Sequence, residues 1–228
     1  MRVSVITIFP RYFDSALEHG MTARAIDSGA IEVIPIDVRE WGLGVHRQVD
    51  DAPFGGGPGM VMRPEPLAEA LDSVAGSLRV LLSPTGDALS QDHLDRWART
   101  EHLTLVCGRY EGVDHRIEEH MIDEVVSLGD FVIAGGEAAA LVILEGLTRL
   151  LPGVVGNPDS IDAESFRDGL LEEPHYTRPA EFRGWSVPDV LVSGDHGRIA
   201  EWRRLQREER TRRRRPDLWA RHEEEGGS

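Results

Sequence analysis

Apolar and polar positions through the first two-thirds of the chain switch repeatedly between two periods. Short runs rich in β-branched residues at 3–9, 31–38, 80–83, 103–107 and 124–128 predict strands. Between them, apolar residues recur at helical spacing over 12–28, 65–74, 91–99 and 137–151, which predicts helices. Strands alternating with amphipathic helices predict an α/β fold whose parallel sheet is covered on both faces. Ligands of such sheets bind beyond the carboxyl ends of the strands, where the loops gather. The pattern changes near Pro152. Residues 153–168 are rich in Gly, Pro, Asp and Ser with little periodicity and read as a linker or mobile loop. From Gly169 onward the chain reads as helical and charged, with Asp195 the expected N-cap of a helix through Glu201, Trp202 and Leu205. The tail at 223–228 is expected to fray.

A length of 228 residues suits one large domain, or one domain with a small appendage. With 40% apolar and 29% charged residues the chain reads as soluble and globular. The single cysteine, Cys107, excludes a disulfide framework and a cysteine-based zinc cluster, and it suits a reducing cytoplasm. The opening run MRVSVITIFP contains Ser4 and Thr7 and is followed by Arg11, so it reads as a buried strand and not a signal peptide. The later apolar run at 138–144 stops at Glu145, too short to span a bilayer, and no membrane partner is expected. The formal charge of −15 argues mildly against a polyanionic partner, because phosphate contacts need positive surface. All 25 basic residues are Arg, however, the better residue for bidentate phosphate and base-edge contacts. The stretch 203–215 holds eight Arg against two Glu. Such a run is either a solvated helix face or the place where phosphate is attracted.

Four segments are dense in Gly and polar residues where strands should end. DDAPFGGGPGM at 50–60 has Gly or Pro at every position from 55 to 59, a backbone that side chains cannot crowd and a ligand can approach. It lacks the Lys-Ser/Thr ending of a nucleoside-triphosphate loop, and without a ligand it is a flexible surface loop. LLSPTG at 81–86 follows a strand directly and alone is a weak turn signal. CGRYEGVD at 107–114 again follows a strand, and Cys107 reads as a buried small hydrophobe and not a nucleophile. SLGDFVIAGGE at 127–137 sets Gly129, Gly135 and Gly136 around a short apolar strand that leads into a helix at Glu137. A Gly pair there commonly permits close helix–strand packing. His115 and His120 lack the i, i+4 spacing of a zinc-binding helix, so no metal site is expected. No serine sits in a G-x-S-x-G elbow, which argues against a serine hydrolase.

Taken in order, these segments resemble the bacterial tRNA (guanine-N1)-methyltransferases, the TrmD family of the SPOUT class. The resemblance runs from ITIFP at 6–10 through VDDAPFGGGPGMVM, LLSPTG, CGRYEGVDHR, SLGDFVIAGGE and LTRLLPGVVGN. It continues with GLLEEPHYTRP at 169–179, VPDVLVSGDH at 187–196 and RTRRRRPDL at 210–218, and so covers nearly the whole chain. It implies a SPOUT-type parallel α/β sheet with a trefoil knot over 1–156, a flexible linker over 157–168, and a small helical tRNA-binding domain over 169–228. Knots are exceptions to ordinary chain topology, and periodicity carries no sign of one. The implied methyl donor is S-adenosyl-L-methionine, held bent by the loops of the knot. By position its pocket is lined by Leu82, Ser83 and Pro84, and by Gly108, Tyr110, Glu111 and Gly112. Leu128, Gly129, Asp130, Phe131, Val132 and Ile133 follow, and Gly135 and Gly136 complete it.

The resemblance also implies a reaction, methylation of N1 of guanosine 37 beside the anticodon. The N1 proton must leave as the methyl group arrives, which calls for a carboxylate general base. An Arg donating to guanine O6 stabilises charge developing on the base, and in-line positioning supplies much of the rest. By family position the Arg is Arg149 and the carboxylate is Glu164, where the family pattern has Asp; Asp162 and Asp168 are the alternative carboxylates. A homodimer is implied, with donor pocket and base contributed by different subunits. Asp50 and Asp51 are implied to help place the target base. His175, Tyr176 and Arg178, with the arginines of 203–215, are implied to grip the anticodon stem-loop. Two other readings stay open: a SPOUT enzyme acting on another RNA base or a ribose 2′-hydroxyl, and an RNA-binding module without catalysis. The carboxylate near 164 and the HYTRP segment favour base methylation over ribose methylation.

Overall fold

The computed structural model describes residues 1–156 and 164–226, and within it every run predicted as a strand is one. In chain order the first unit, Met1–Gly156, runs β1 (Arg2–Thr7), α1 (Asp14–Leu17), α2 (Gly20–Asp27), β2 (Glu32–Asp37), β3 (Asp50–Asp51) and β4 (Val61–Met62). It continues with α3 (Pro64–Asp72), β5 (Leu78–Ala88), α4 (Gln91–Trp97), β6 (His102–Cys107), α5 (His115–Met121), β7 (Glu124–Ser127) and α6 (Glu137–Thr148). Five strands form one sheet in the order β2-β1-β6-β5-β7, and every neighbouring pair is parallel.

The period of two along the strands sorts side chains onto two cores. Val3 and Val5 of β1, Leu103 and Leu105 of β6, and Val80 and Leu82 of β5 face one side, packed with Phe13, Trp97, Ile143, Leu144 and Leu147. Ile6, Leu81 and Val106 face the other side, with Val38, Leu67, Leu71 and Ile117. The sheet is therefore the middle layer of three, as strands joined by helical crossovers require. Its register sets Val5, Leu105 and Val80 side by side.

Three departures from the sequence reading concern backbone that periodicity does not register. The helix expected over 12–28 is two, because His19 is extended and Gly20 takes φ +68°, a left-handed value that interrupts the first helix. Strand β5 outruns its predicted end. Val126 pairs with both Leu82 and Asp87, so residues 83–86 bulge out of the ladder and return. A Cβ on Gly86 would lie 2.4 Å from the backbone of Val125 and Val126, so main chain presses on main chain at a residue without a side chain. Helix α5 was not expected; it is only seven residues long and starts where the Asp114 side chain accepts from the Arg116 N–H.

The second unit, Asn157–Ser228, contains β8 (Glu181–Phe182), β9 (Trp185–Ser186), α7 (Asp189–Val192), α8 (His196–Arg214) and α9 (Pro216–Gly226). A helical reading from Gly169 onward is thus corrected, since 169–188 holds no helix. Pro174, Pro179 and Pro188 interrupt any helical ladder there. Arg183 and Gly184, at φ 55° and 78°, form the turn of the β8–β9 hairpin. Asp195 caps α8 as expected, accepting from the Arg198 N–H at 3.1 Å. Helix α9 starts at a proline and continues to Gly226, past the point where fraying was expected. Of the expected linker, 157–163 lie outside the described residues; in the remainder the Phe166 N–H donates to the Leu170 carbonyl at 2.8 Å. Among the described residues no helix is long and apolar enough to cross a membrane.

Helix α4 is tied to the sheet edge by a charged cluster. Arg96 donates two hydrogen bonds to Glu124, at 3.0 and 3.1 Å, and Trp97 Nε1 donates a third at 3.2 Å. The Arg96 hydrogen bonds outweigh burial and hold the Glu124 carboxyl below its usual range. A depressed folded-state value means stability that is present above the ordinary carboxylate range and is lost as pH falls through the folded value. Glu124→Gln should cost about 1–2 kcal/mol at neutral pH. In urea titrations that difference should shrink as pH is lowered below about 4; a deficit independent of pH would show that packing, not charge, holds the cluster.

Candidate active site

Beyond the carboxyl ends of β5, β6 and β7 lies a cleft of about 400 Å³. Its walls are the β5 bulge, the loop after β6 and the segment leading into α6. Of the residues implied to hold a methyl donor, Leu82, Ser83, Pro84, Gly108, Tyr110, Glu111 and Gly112 line this cleft. So do Leu128, Phe131, Val132, Ile133, Gly135 and Gly136. Gly129 and Asp130 stand outside the lining, in the turn after β7, where Ser127 Oγ bonds both the N–H and the carbonyl of Gly129 at 3.2 and 3.0 Å. Tyr110 holds φ 60°, a conformation sparsely used by residues with a Cβ, and its side chain is exposed.

One buried carboxylate joins the walls, and motif reading had assigned it no role. Glu137, at the first turn of α6, is fully buried. Its Oε1 accepts from Thr7 Oγ1 at 2.7 Å, at the carboxyl end of β1, and its Oε2 accepts from Arg109 Nε at 2.8 Å. Arg109 Nη1 also donates to the Ala134 carbonyl at 3.1 Å, and its guanidinium lies 4.7 Å from the centre of the Phe9 ring. A buried charge survives only when paired and hydrogen-bonded, and here Thr7 and the Arg109 guanidinium satisfy it. The glycine pair is the steric condition for this clasp. A Cβ on Gly135 would sit 2.1 Å from Arg109 Nε, and one on Gly136 would sit 2.7 Å from the Cα of Cys107. The only sequence signal was the acidic residue following GG at a helix start, where the helix dipole favours negative charge.

Cys107 is fully buried, and burial pushes its thiol well up, so it is inert packing as its apolar strand suggested. The Gly-rich loop at 55–59 is not part of the cleft lining, but at Gly59 it presses on a lining residue, where a Cβ would lie 2.3 Å from Glu111 Oε1. Asp50 and Asp51 form β3, beside that loop. Asp51 is held by Arg63 at 2.8 Å, whereas the Asp50 carboxylate has no ion-pair partner among the described residues.

Arg149 caps the far end of α6. Twelve residues of helix separate it from Glu137, about 18 Å along the axis. Within one chain, therefore, it does not reach the cleft. In the second unit Glu164 is half-buried, and Asp162 lies outside the described residues. Asp168 is engaged elsewhere. It pairs with Arg207, and although burial would raise its carboxyl, the Arg207 hydrogen bond and charge hold it below the usual range. His175, Tyr176 and Arg178 line a second cleft, of about 440 Å³, with Trp202 and Arg203 of α8. The Tyr176 and Trp202 rings stand 6.4 Å apart, and His175 bonds Glu172 at 3.2 Å.

These features define an α/β ligand-binding protein whose site lies at the carboxyl edge of a parallel sheet. The family model for tRNA (Guanine-1)-methyltransferase TrmD matches residues 1–221. A tRNA (guanine-N(1)-)-methyltransferase of Thermosynechococcus vestitus is 52% identical over 225 residues, spanning 97% of this chain and 95% of that protein. Proteins of the same description from Gloeobacter violaceus and Ruegeria pomeroyi are 50% and 49% identical, spanning 98% and 92% of their own lengths and 96% of this chain in both cases. The chain belongs to the tRNA (guanine-1)-methyltransferase TrmD family.

The clasp makes a direct stability prediction. Arg109→Leu strands the Glu137 carboxylate in the core and should cost about 3–5 kcal/mol in chemical denaturation. Adding Glu137→Leu should recover a large part of that loss, since the unpaired charge is gone. A double variant less stable than the single one by the full cost of a second deletion would mean the two side chains act independently.

Proposed function

We propose that this protein methylates N1 of guanosine 37 in tRNA, takes S-adenosyl-L-methionine as its donor, and works in the cytoplasm as a homodimer whose sites draw on both subunits. The observation that carries the reading is the cleft at the sheet edge, in a chain matched to the family over nearly its full length. The cleft suits the donor chemically. Leu82, Leu128 and Ile133 offer apolar walls to adenine, and Gly108, Gly135 and Gly136 keep main-chain groups accessible. Its charged lining suits a cation, because Arg109 is neutralised by Glu137 while the carboxylates of Glu111 and Glu118 remain. The antiparallel bridge between Arg109 and Gly135, with the Gly136 N–H on the Gly108 carbonyl at 3.0 Å, sets side by side the two loops that a trefoil knot would thread.

The donor, when bound, supplies an electrophilic methyl group on a sulfonium. The remaining work falls to side chains. Glu164 accepts the N1 proton, Arg149 donates to O6 as negative charge develops on the base, and Asp50 offers an acceptor to the nucleotide edge. Because Arg149 stands about 18 Å along α6 from Glu137, away from the cleft of its own chain, a second subunit brings it to a donor. The second unit, with Tyr176, Arg178 and the arginines of α8, supplies the surface for the anticodon stem-loop.

Incubation with labelled donor and tRNA transcripts differing only at position 37 tests the specificity. Label should enter the guanosine transcript alone, and equal labelling of an adenosine transcript would refute the assignment. Calorimetry should show donor binding at micromolar levels, about 8 kcal/mol; a flat titration would favour an RNA-binding module without catalysis. Arg149→Ala should lose turnover far more than donor affinity. Gly135→Val, by displacing Arg109, should lose donor affinity first.

A further inference from the structure

We infer that the arginines of α8 divide into two groups, with Arg207 positioning the segment that carries Glu164 while Arg213 and Arg214 are the ones that meet tRNA phosphates. The inference rests on the reading of Glu164 as the base. Arg203, Arg207, Arg210 and Thr211 recur at i, i+4, i+7 and i+8, so they share one face of α8. That face is occupied by the protein itself. Arg207 pairs with Asp168, and Arg203 pairs with Glu173 at 3.3 Å. Arg210 Nη1 donates to the Glu172 carbonyl at 3.3 Å. Thr211, fully buried, accepts the Leu171 N–H on its hydroxyl at 2.8 Å and donates back to the Arg207 carbonyl at 2.7 Å.

The segment so held reaches back to the residue beside Glu164. The Glu172 N–H donates to Ser165 Oγ at 3.0 Å, and Ser165 Oγ donates to a Glu172 carboxylate oxygen at 3.3 Å. The Phe166 N–H meets the Leu170 carbonyl, and Leu170 is buried. A connected set of hydrogen bonds therefore runs from α8 through 168–173 to Ser165. Arg203 and Arg207 have their charge matched by carboxylates, so they add little to a field felt by phosphate, and Arg210 keeps its charge but is turned inward onto a carbonyl. Arg204 is likewise bound to Glu201 and Glu208, and Arg215 to Asp217. Arg213 and Arg214 are exposed in the last turn of α8, and no acidic side chain pairs with them among the described residues; Arg212 beside them is exposed too but lies over the Trp219 ring at 4.3 Å, and Arg198, also without an acidic partner, stands in the first turn at the other end of the helix.

The two tasks give opposite kinetic signatures, which full-length protein with its tRNA substrate can display. Arg207→Gln should lower the single-turnover rate at saturating tRNA about ten- to a hundredfold, as small misplacement of a reacting group does. Its tRNA dissociation constant should stay within about twofold of wild type, with the salt dependence unchanged. Arg207→Lys, which keeps the charge, should regain part of the rate. Thr211→Val, cutting the same set of bonds at another point, should reproduce the pattern if Arg207→Gln folds poorly. Arg213→Ser and Arg214→Ser should each weaken tRNA binding and flatten the slope of log affinity against log salt by about one unit. A slope change of that size in Arg207→Gln, with a wild-type rate at saturation, would overturn the positioning role. So would a wild-type rate in Arg207→Gln beside an inactive Glu164→Gln. If Glu164→Gln itself keeps the wild-type rate, the base assignment has failed and takes this inference with it.

Discussion

The buried Glu137 carboxylate is the interaction on which the cleft depends. Three chain segments distant in sequence converge there: the end of β1 through Thr7, the loop after β6 through Arg109, and the start of α6 itself. Each would leave a polar or charged group stranded without the others. Burying a carboxylate is costly unless its partners are all in place, so the arrangement is close to all-or-none. The same guanidinium fastens the Ala134 carbonyl and so ties the loop wall of the cleft to the sheet. A ligand that meets this wall meets a surface already set, and loses less binding energy in ordering it.

Legibility followed the physics of each feature. Strand runs and their parallel pairing, though not their order, were visible because buried parallel strands demand β-branched residues on both faces, as in Val3, Val5 and Ile6. The cleft position followed from that pairing and from the glycines at the strand ends. Helix α5 was not visible, since seven residues carry too few turns for a period. The β5 bulge was read as a turn after the strand, because the ladder resumes only at Asp87 and Ala88, two residues without strand character. The β8–β9 hairpin hides behind an Arg-Gly turn in a stretch whose charge suggested helix. Ion-pair partners such as Arg109 with Glu137, or Arg207 with Asp168, lie 28 and 39 residues apart, and nothing local specifies them.

Charge distribution resolves the tension between a net −15 and a polyanionic substrate. The segment 157–228 holds 13 of the 25 arginines but only 16 of the 40 acidic residues, so most of the excess acid belongs to the first unit. Even there much of the arginine charge is matched internally. A protein built this way repels RNA over most of its surface and accepts it where arginine is left unmatched, which favours one docking orientation over many.

Helix α6 acts as a ruler. Its amino end closes the cleft through Gly136 and Glu137, and its carboxyl end presents Arg149, a separation that folding of one chain does not shorten. If donor and Arg149 must meet, a solitary chain can be fully folded, fully loaded and still chemically silent. Turnover per chain would then rise with protein concentration until subunits are paired, while donor binding stayed flat. On that proposal, the length of one helix would make the modification of tRNA a measure of how much of this protein the cell contains.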